Sequence, residues 1–389
     1  MHPSLTSPNN FTTLNPVEKP NDPYSLCWCG SGKKWKFCHK DRSTQKAIHL
    51  KEYQSLIRKN YNQGICLHPD ASLETCSIGT ISSHTIQMSG GISSITKDNH
   101  VYTFKTLDSI EDEIFHPKKI GQRRASTFLG FCNKHDTELF KPIETHPLKI
   151  DKTAFYYMSF RAISYEYHGK LRALSAANIM EKQDSGMPFP YQASLQWRLH
   201  IAKQGHEKGF QIHKKIKRLF DESHSKNDHS NFKYYAIEFE KESPVVACGS
   251  FCPEHDINGK PLQKLAQGEV DFQVITFNLL NINSRAYAVF GWINDDYHVA
   301  RDYIESIKEH PTQILSDLAV RIAFQNLENT YIFPDWWDQL EESAQENICS
   351  LFRSGLWEIP KESEDLHFES KIWPASVSKV FACPDNTIT

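Results

Sequence analysis

Residues 270–292 read VDFQVITFNLLN, then INS, then RAYAVFGW. Two apolar runs rich in Val, Ile, Phe and Tyr flank a short Asn/Ser link, a pattern that predicts an antiparallel hairpin. Upstream, KYYAIEFE (233–240) alternates and PVVACGS (244–250) is continuously apolar, so 233–292 as a whole predicts an antiparallel sheet. Cys248 falls inside one of these strands and reads as a core thiol, with Cys252 and His255 close behind it. Two helical stretches follow, about 297–328 and 338–355, with Pro311 opening a new helix inside the first. Trp336 and Trp337, just after Pro334, read as a packing anchor at a helix start. The tail from about 360 reads as irregular. Before the sheet, 152–222 is mostly helical. Leu171 to Lys182 is one candidate helix. In another, Ile212, Ile216, Leu219 and Phe220 share a face, while Lys214, Lys215, Lys217 and Arg218 read as a solvated one. The fold class expected is α+β.

The chain has 389 residues, enough for two or three domains, and a net charge of −3, so bulk charge does not draw it to nucleic acid. The charge is uneven. Residues 33–59 carry nine positive and two acidic side chains, and 335–369 is acidic. No run of eighteen apolar residues exists, so no transmembrane helix and no membrane partner are expected. The amino terminus lacks the basic start and apolar stretch of a signal peptide, which leads to the expectation of a cytoplasmic, reducing location. Ten cysteines in such a compartment point to metal ligands and buried thiols.

Residues 27–39, CWCGSGKKWKFCH, hold Cys27, Cys29, Cys38 and His39. Four soft or borderline ligands within thirteen residues suit a closed tetrahedral zinc site. Gly30 and Gly32 allow a sharp reversal. Lys33, Lys34 and Lys36 offset thiolate charge, and Trp28, Trp35 and Phe37 offer apolar cover. So small a unit cannot bury enough surface to fold alone, so metal binding is its folding energy. From Ser43 a basic helix is expected to run to about Asn60, with Ile48, Leu56 and Ile57 on one side.

A second set is more spread out. Cys66 and Cys76 precede Cys132 and His135, which are spaced by two residues at the start of a helix, DTELFKPIE. A helix amino terminus supplies the second ligand pair in treble-clef folds, and a preceding loop supplies the first. The four make a second closed Cys3His zinc site. The organisation expected is a flexible arm (1–24), a zinc knuckle with its basic helix (25–60), a small treble-clef-like zinc domain (61–150), and an α+β region of unknown type (151–389). That last region runs from a helical section to an antiparallel sheet with carboxyl-terminal helices.

Two resemblances bear on function. Residues 27–39 are very similar to the SEC-C motif of the bacterial secretion ATPase tail: Cys-x-Cys-Gly-Ser-Gly-Lys-Lys, an aromatic (here Trp35), then Cys and Cys or His. The resemblance implies zinc on Cys27, Cys29, Cys38 and His39, and a module that docks a protein or ribonucleoprotein partner. Ile81 to Ile86, with Leu129 to Phe140 following, resembles HNH endonucleases. That resemblance implies His84 as general base and His135 or Asp136 at a divalent metal (Mg or Mn) on the scissile phosphate. Arg123 and Arg124, with Lys118 and Lys119, lie between His84 and Cys132 and read as a basic surface loop, which in a nuclease would grip the phosphates of DNA or RNA. The sequence departs from that family at Ser83, where many members carry an acidic ligand. It also lacks a clear middle Asn, since Arg124, Ala125 and Ser126 fill that stretch. Two functions follow: an HNH-like nuclease of the phage-defence type, docked through its knuckle, or a non-catalytic zinc-stabilised adaptor. The residues lean slightly to the nuclease.

Overall fold

The computed structural model describes residues 18–104, 116–144, 147–264, 272–293, 298–357 and 371–383. Residues 1–17 of the arm expected over 1–24 lie outside them. The chain divides into two compact units, Met1–Gln63 with Gly169–Gln211, and Gly64–His168 with Ile212–Thr389.

The larger unit is built on the hairpin. Strands β7 (Ile275–Ile282) and β8 (Arg285–Ile293) pair antiparallel from Thr276–Gly291 to Ile282–Arg285. Asn283 and Ser284 close the turn, with φ of 51° and 61°. Two successive residues at positive φ make a turn whose twist matches the strands, and Asn tolerates that conformation best after Gly. Beside them lie β5 (Phe232–Phe239), β6 (Val245–Phe251), β9 (Thr330–Ile332), β2 (His100–Thr103), β3 (Lys118–Gly121) and β10 (Val377–Ala382). The order is β10-β5-β8-β7-β6-β9-β2-β3, every pairing antiparallel. The fold class is therefore α+β with an antiparallel sheet. The tail expected to be irregular supplies an edge strand: Val377 to Ala382 pairs with β5, an exposed edge whose single-sided burial gives little hydrophobic signal.

Both sheet faces are covered, which is why β6 and β7 are buried along their whole length. Ile275, Phe277, Leu279, Ala288 and Phe290 face a core shared with α5 (His298–Lys308), α6 (Leu315–Asn326), α7 (Pro334–Gln339) and α8 (Glu342–Trp357). Pro311 precedes a 3-10 turn that leads into α6, and Trp337 is buried at the start of α7. Cys248, Leu280, Ile282 and Val289 face the other way. They pack with α2 (Asn133–Glu144), the first half of α3 (Lys152–Met180) and the last part of α4 (Phe189–Ser225). Ile212, Ile216 and Phe220 are buried there. So is Lys217, which the charge run had placed on a solvated face. Its ammonium donates to the Leu67 carbonyl (2.7 Å) and pairs with Asp221.

In the smaller unit α1 spans Leu50–Tyr61. It starts seven residues later than expected, because Arg42–Thr44 forms a separate 3-10 turn and Gln45 leaves it extended. Tyr53 and Ile57 pack on Met180, Leu195 and Leu199. The candidate helix from Leu171 is the second half of α3. Among the described residues no helix is long and apolar enough to cross a membrane.

Candidate metal centres

The first group forms on a reversal of chain. Cys27 donates its amide to Lys33 O (2.8 Å), and Gly30 and Gly32 sit at φ of 75° and 70°, where a side chain is strained. A 3-10 turn, Trp35–Phe37, then aims Cys38 and His39 back at the first two thiols. Cys29 Sγ lies 3.6 Å from Cys38 Sγ. His39 Nδ1 lies 3.3 Å from Cys27 Sγ and 3.1 Å from Cys38 Sγ. Trp28 covers His39, with ring centroids 4.7 Å apart. Trp35 is half-buried, whereas Phe37, expected as cover, is 69% exposed.

His39 turns its other nitrogen away from the thiols. Nε2 donates to Asp184 Oδ2 at 2.7 Å, and Asp184 is fully buried. Burial works against charge on His39, but the Asp184 bond overrides it and raises the imidazole to about 10. Burial pushes the Cys27 thiol up to about 12. It also acts on Cys29, but hydrogen bonds with His39 and Ser31 draw that thiol down to about 6. Neighbouring thiolates repel one another, so this group ionises fully only around a cation.

The second group joins distant segments. Residues 65–67 run beside β4 (Thr127–Phe131), with Ile65 N to Leu129 O at 3.0 Å and Leu67 N to Gly130 O at 2.8 Å, which sets Cys66 in place. Cys76 closes a turn tied by Ser72 and Thr75. Cys132 and His135 sit at the β4–α2 junction. His135 Nδ1 is 3.3 Å from Cys66 Sγ and 3.5 Å from Cys76 Sγ. His68 stacks on His135, with centroids 4.1 Å apart and the rings nearly parallel. Burial raises Cys66 to about 11. Cys132 is also desolvated, but the Ser77 hydroxyl and the backbone amides of His135 and Ser77 bring it down to about 6.

In each group all four ligand atoms lie within 4.8 Å of one another. Zinc bonds of about 2.3 Å to sulfur and 2.0 Å to nitrogen in a tetrahedron put sulfurs about 3.7 Å apart and sulfur about 3.5 Å from nitrogen. The five separations given above match that spacing within a few tenths of an ångström, and the donors are the soft set zinc takes. Each group can hold a zinc ion.

The other expected site residues lie on the same ββα unit as the second group. Strand β1 (Ile81–His84) pairs antiparallel with β4, His84 opposite Thr127, and α2 follows. Thr85 and Ser126 hydrogen-bond to each other and, through Asn329 and Tyr331, to β9 and β6. His84 is half-buried, and its Nε2 is shut off from solvent without a hydrogen-bond partner among the described residues. Burial, helped by Arg161, lowers its pKa, so the ring stays neutral. Asp136 Oδ1 is likewise buried, and the nearby Ser83 hydroxyl acts on this carboxyl. Burial raises the Asp136 carboxyl against the pull of Arg161. Arg123 and Arg124 are exposed on a 3-10 turn, and the Arg124 carbonyl accepts from Thr127, the residue opposite His84. Among the described residues, no third group of three His, Cys, Asp or Glu side chains converges as the two Cys/His groups do. Sequence reasoning missed Asp184, Arg42 and Gln196 around His39, and His68 and Lys217 beside the second group. Asp184 and Gln196 stand 145 and 157 residues from His39 and Lys217 stands 150 from Leu67, with no local signal, while His68, two residues after Cys66, stacks on a ring 67 residues further on. Compared with protein-family models, curated proteins and solved structures, the chain matches none.

Proposed function

We propose that this is a two-zinc binding protein, an adaptor whose metals hold recognition surfaces in place and do no chemistry. One observation carries the reading: each group supplies four protein ligands, three thiolates and an imidazole, and a four-coordinate zinc so held has no open position for water or substrate. The knuckle, read as SEC-C-like, presents Tyr24, Leu26 and Phe37 to solvent, each more than half exposed, beside Lys33, Lys34 and Lys36. Two of those lysines lie over the Tyr24 ring. An aromatic and cationic surface of this kind suits an acidic protein segment or a ribonucleoprotein. Metal analysis of the purified chain is expected to give two zincs per molecule. Incubation with DNA or RNA and Mg²⁺ or Mn²⁺ is expected to give no cleavage.

The ββα arrangement of β1, β4 and α2 favours a second reading, the HNH-like nuclease. His84 and Asp136 lie on that unit, and His84 keeps a buried nitrogen without a partner among the described residues. A desolvated, neutral imidazole is the form a general base needs. Cleavage by the wild type that His84→Ala abolishes would establish the nuclease and overturn the adaptor.

A further inference from the structure

We infer that Asp184 belongs to the first metal centre as its outer-sphere carboxylate, and that through Asp184 the metal holds the turn between α3 and α4 in place. The inference rests on zinc at Cys27, Cys29, Cys38 and His39. Asp184 lies 145 residues beyond His39, yet Nε2 of His39 donates to its Oδ2 at 2.7 Å. A proton fixed on Nε2 leaves Nδ1 with its lone pair, and Nδ1 is the atom beside the thiols. The carboxylate thus selects the tautomer that can ligate, fixes the ring and makes it more basic.

The dependence also runs the other way. Asp184 is fully buried, and three side chains satisfy its carboxylate. His39 and Gln196 (2.7 Å) bond Oδ2, and Arg42 Nε bonds Oδ1 at 2.6 Å. Two of the three donors stand in or just after the knuckle. The same stretch is tied to the turn by two further hydrogen bonds: Gly186 N donates to Arg42 O at 2.9 Å, and the Arg42 side chain donates from Nη2 to Glu181 O at 3.1 Å. Gly186, at φ of 78°, has no room for a Cβ, which would come within 2.9 Å of Gln45 O. A thirteen-residue knuckle has almost no core of its own, so without metal it loses its shape and His39 leaves. Asp184 then sits in a dry site short of donors, and residues 181–186 must open to hydrate it.

The test uses the full chain. Zinc affinity is measured by competition with a chromophoric chelator for wild type, Asp184→Asn, Asp184→Ala and Cys29→Ser, with amide exchange followed over 181–200. The expected result is that Cys29→Ser loses one zinc, and that Asp184→Ala weakens one of two zincs by 10- to 100-fold, with Asp184→Asn between it and wild type. Amide exchange over 181–186 is expected to rise in Cys29→Ser and in chelator-treated wild type. If Asp184→Ala fails to fold, the Cys29→Ser exchange pattern decides, since that variant leaves Asp184 itself untouched. Cys29→Ser binding as much zinc as wild type would sink the metal assignment, and the inference with it. Loss of one zinc in Cys29→Ser, with protected 181–186 amides or unaltered affinity in Asp184→Ala, would overturn the inference alone.

Discussion

The two Cys3His groups use the same donors and are built in opposite ways. The first takes its ligands from thirteen consecutive residues, in a stretch with only Cys27 and His39 buried. The second draws on positions 66 to 135 and sits against a packed core that includes Leu67, Phe131, Leu139 and Phe140. The neighbours differ in sign as well. A buried carboxylate, Asp184, backs the first, while beside the second the buried Lys217 holds the Leu67 carbonyl, next to Cys66. A metal at the first group would make a fold where there is too little apolar surface for one. A metal at the second would fasten a loop and a helix start onto a core that hydrophobic burial already favours.

The sharpest way to break this comparison is to remove one ligand from each group. Cys38→Ser is expected to abolish ordered structure over about residues 25–45, since structural zinc supplies on the order of 10 kcal/mol or more to units of this size. Amide exchange would show it, with the sheet strands unaffected. Cys132→Ser is expected to leave the larger unit folded but less stable by about 4 kcal/mol, read from denaturant unfolding. Equal effects on local order in the two variants would remove the distinction. The smallest expected effect sharpens the contrast in neighbours. Lys217→Met should cost about 2 kcal/mol, below the range for fully buried pairs, because Asp221 retains some exposure. Adding Asp221→Asn should recover part of it. A Lys217→Met variant as stable as wild type would mean the ammonium contributes nothing net.

How much of this was legible in the sequence follows from how local each feature is. The 270–292 hairpin was readable because both strands are apolar and adjacent and the turn carries Asn283 and Ser284. The first ligand group was readable because its spacing is contiguous, and the second because Cys132 and His135 fall at a helix start. Lys217 was misread for a physical reason. It follows Ile216 on the helix, so it lies at the border of the apolar face, and a single tertiary acceptor at Leu67 decides that it turns inward. Edge strand β10 carries Lys379 and Ser378 among its residues and has an intermediate-to-exposed surface, so no periodicity marked it. Asp184 was invisible, because a lone acidic residue between two helices reads as solvent-facing until His39 and Arg42 are placed on it.

The strand order has a consequence in time. Strand β2 reaches the sheet by pairing with β9, Tyr102 opposite Ile332. During synthesis all four ligands of the second group are available once residue 135 has emerged, roughly 200 residues before β9. At about 5–20 residues per second that interval lasts about 10–40 s. For that period a metal ion can gather Cys66, Cys76 and the start of α2 before the sheet exists to do so. Bound there, the ion would act as a clasp on a nascent chain and keep its thiols from oxidation while the remainder is made.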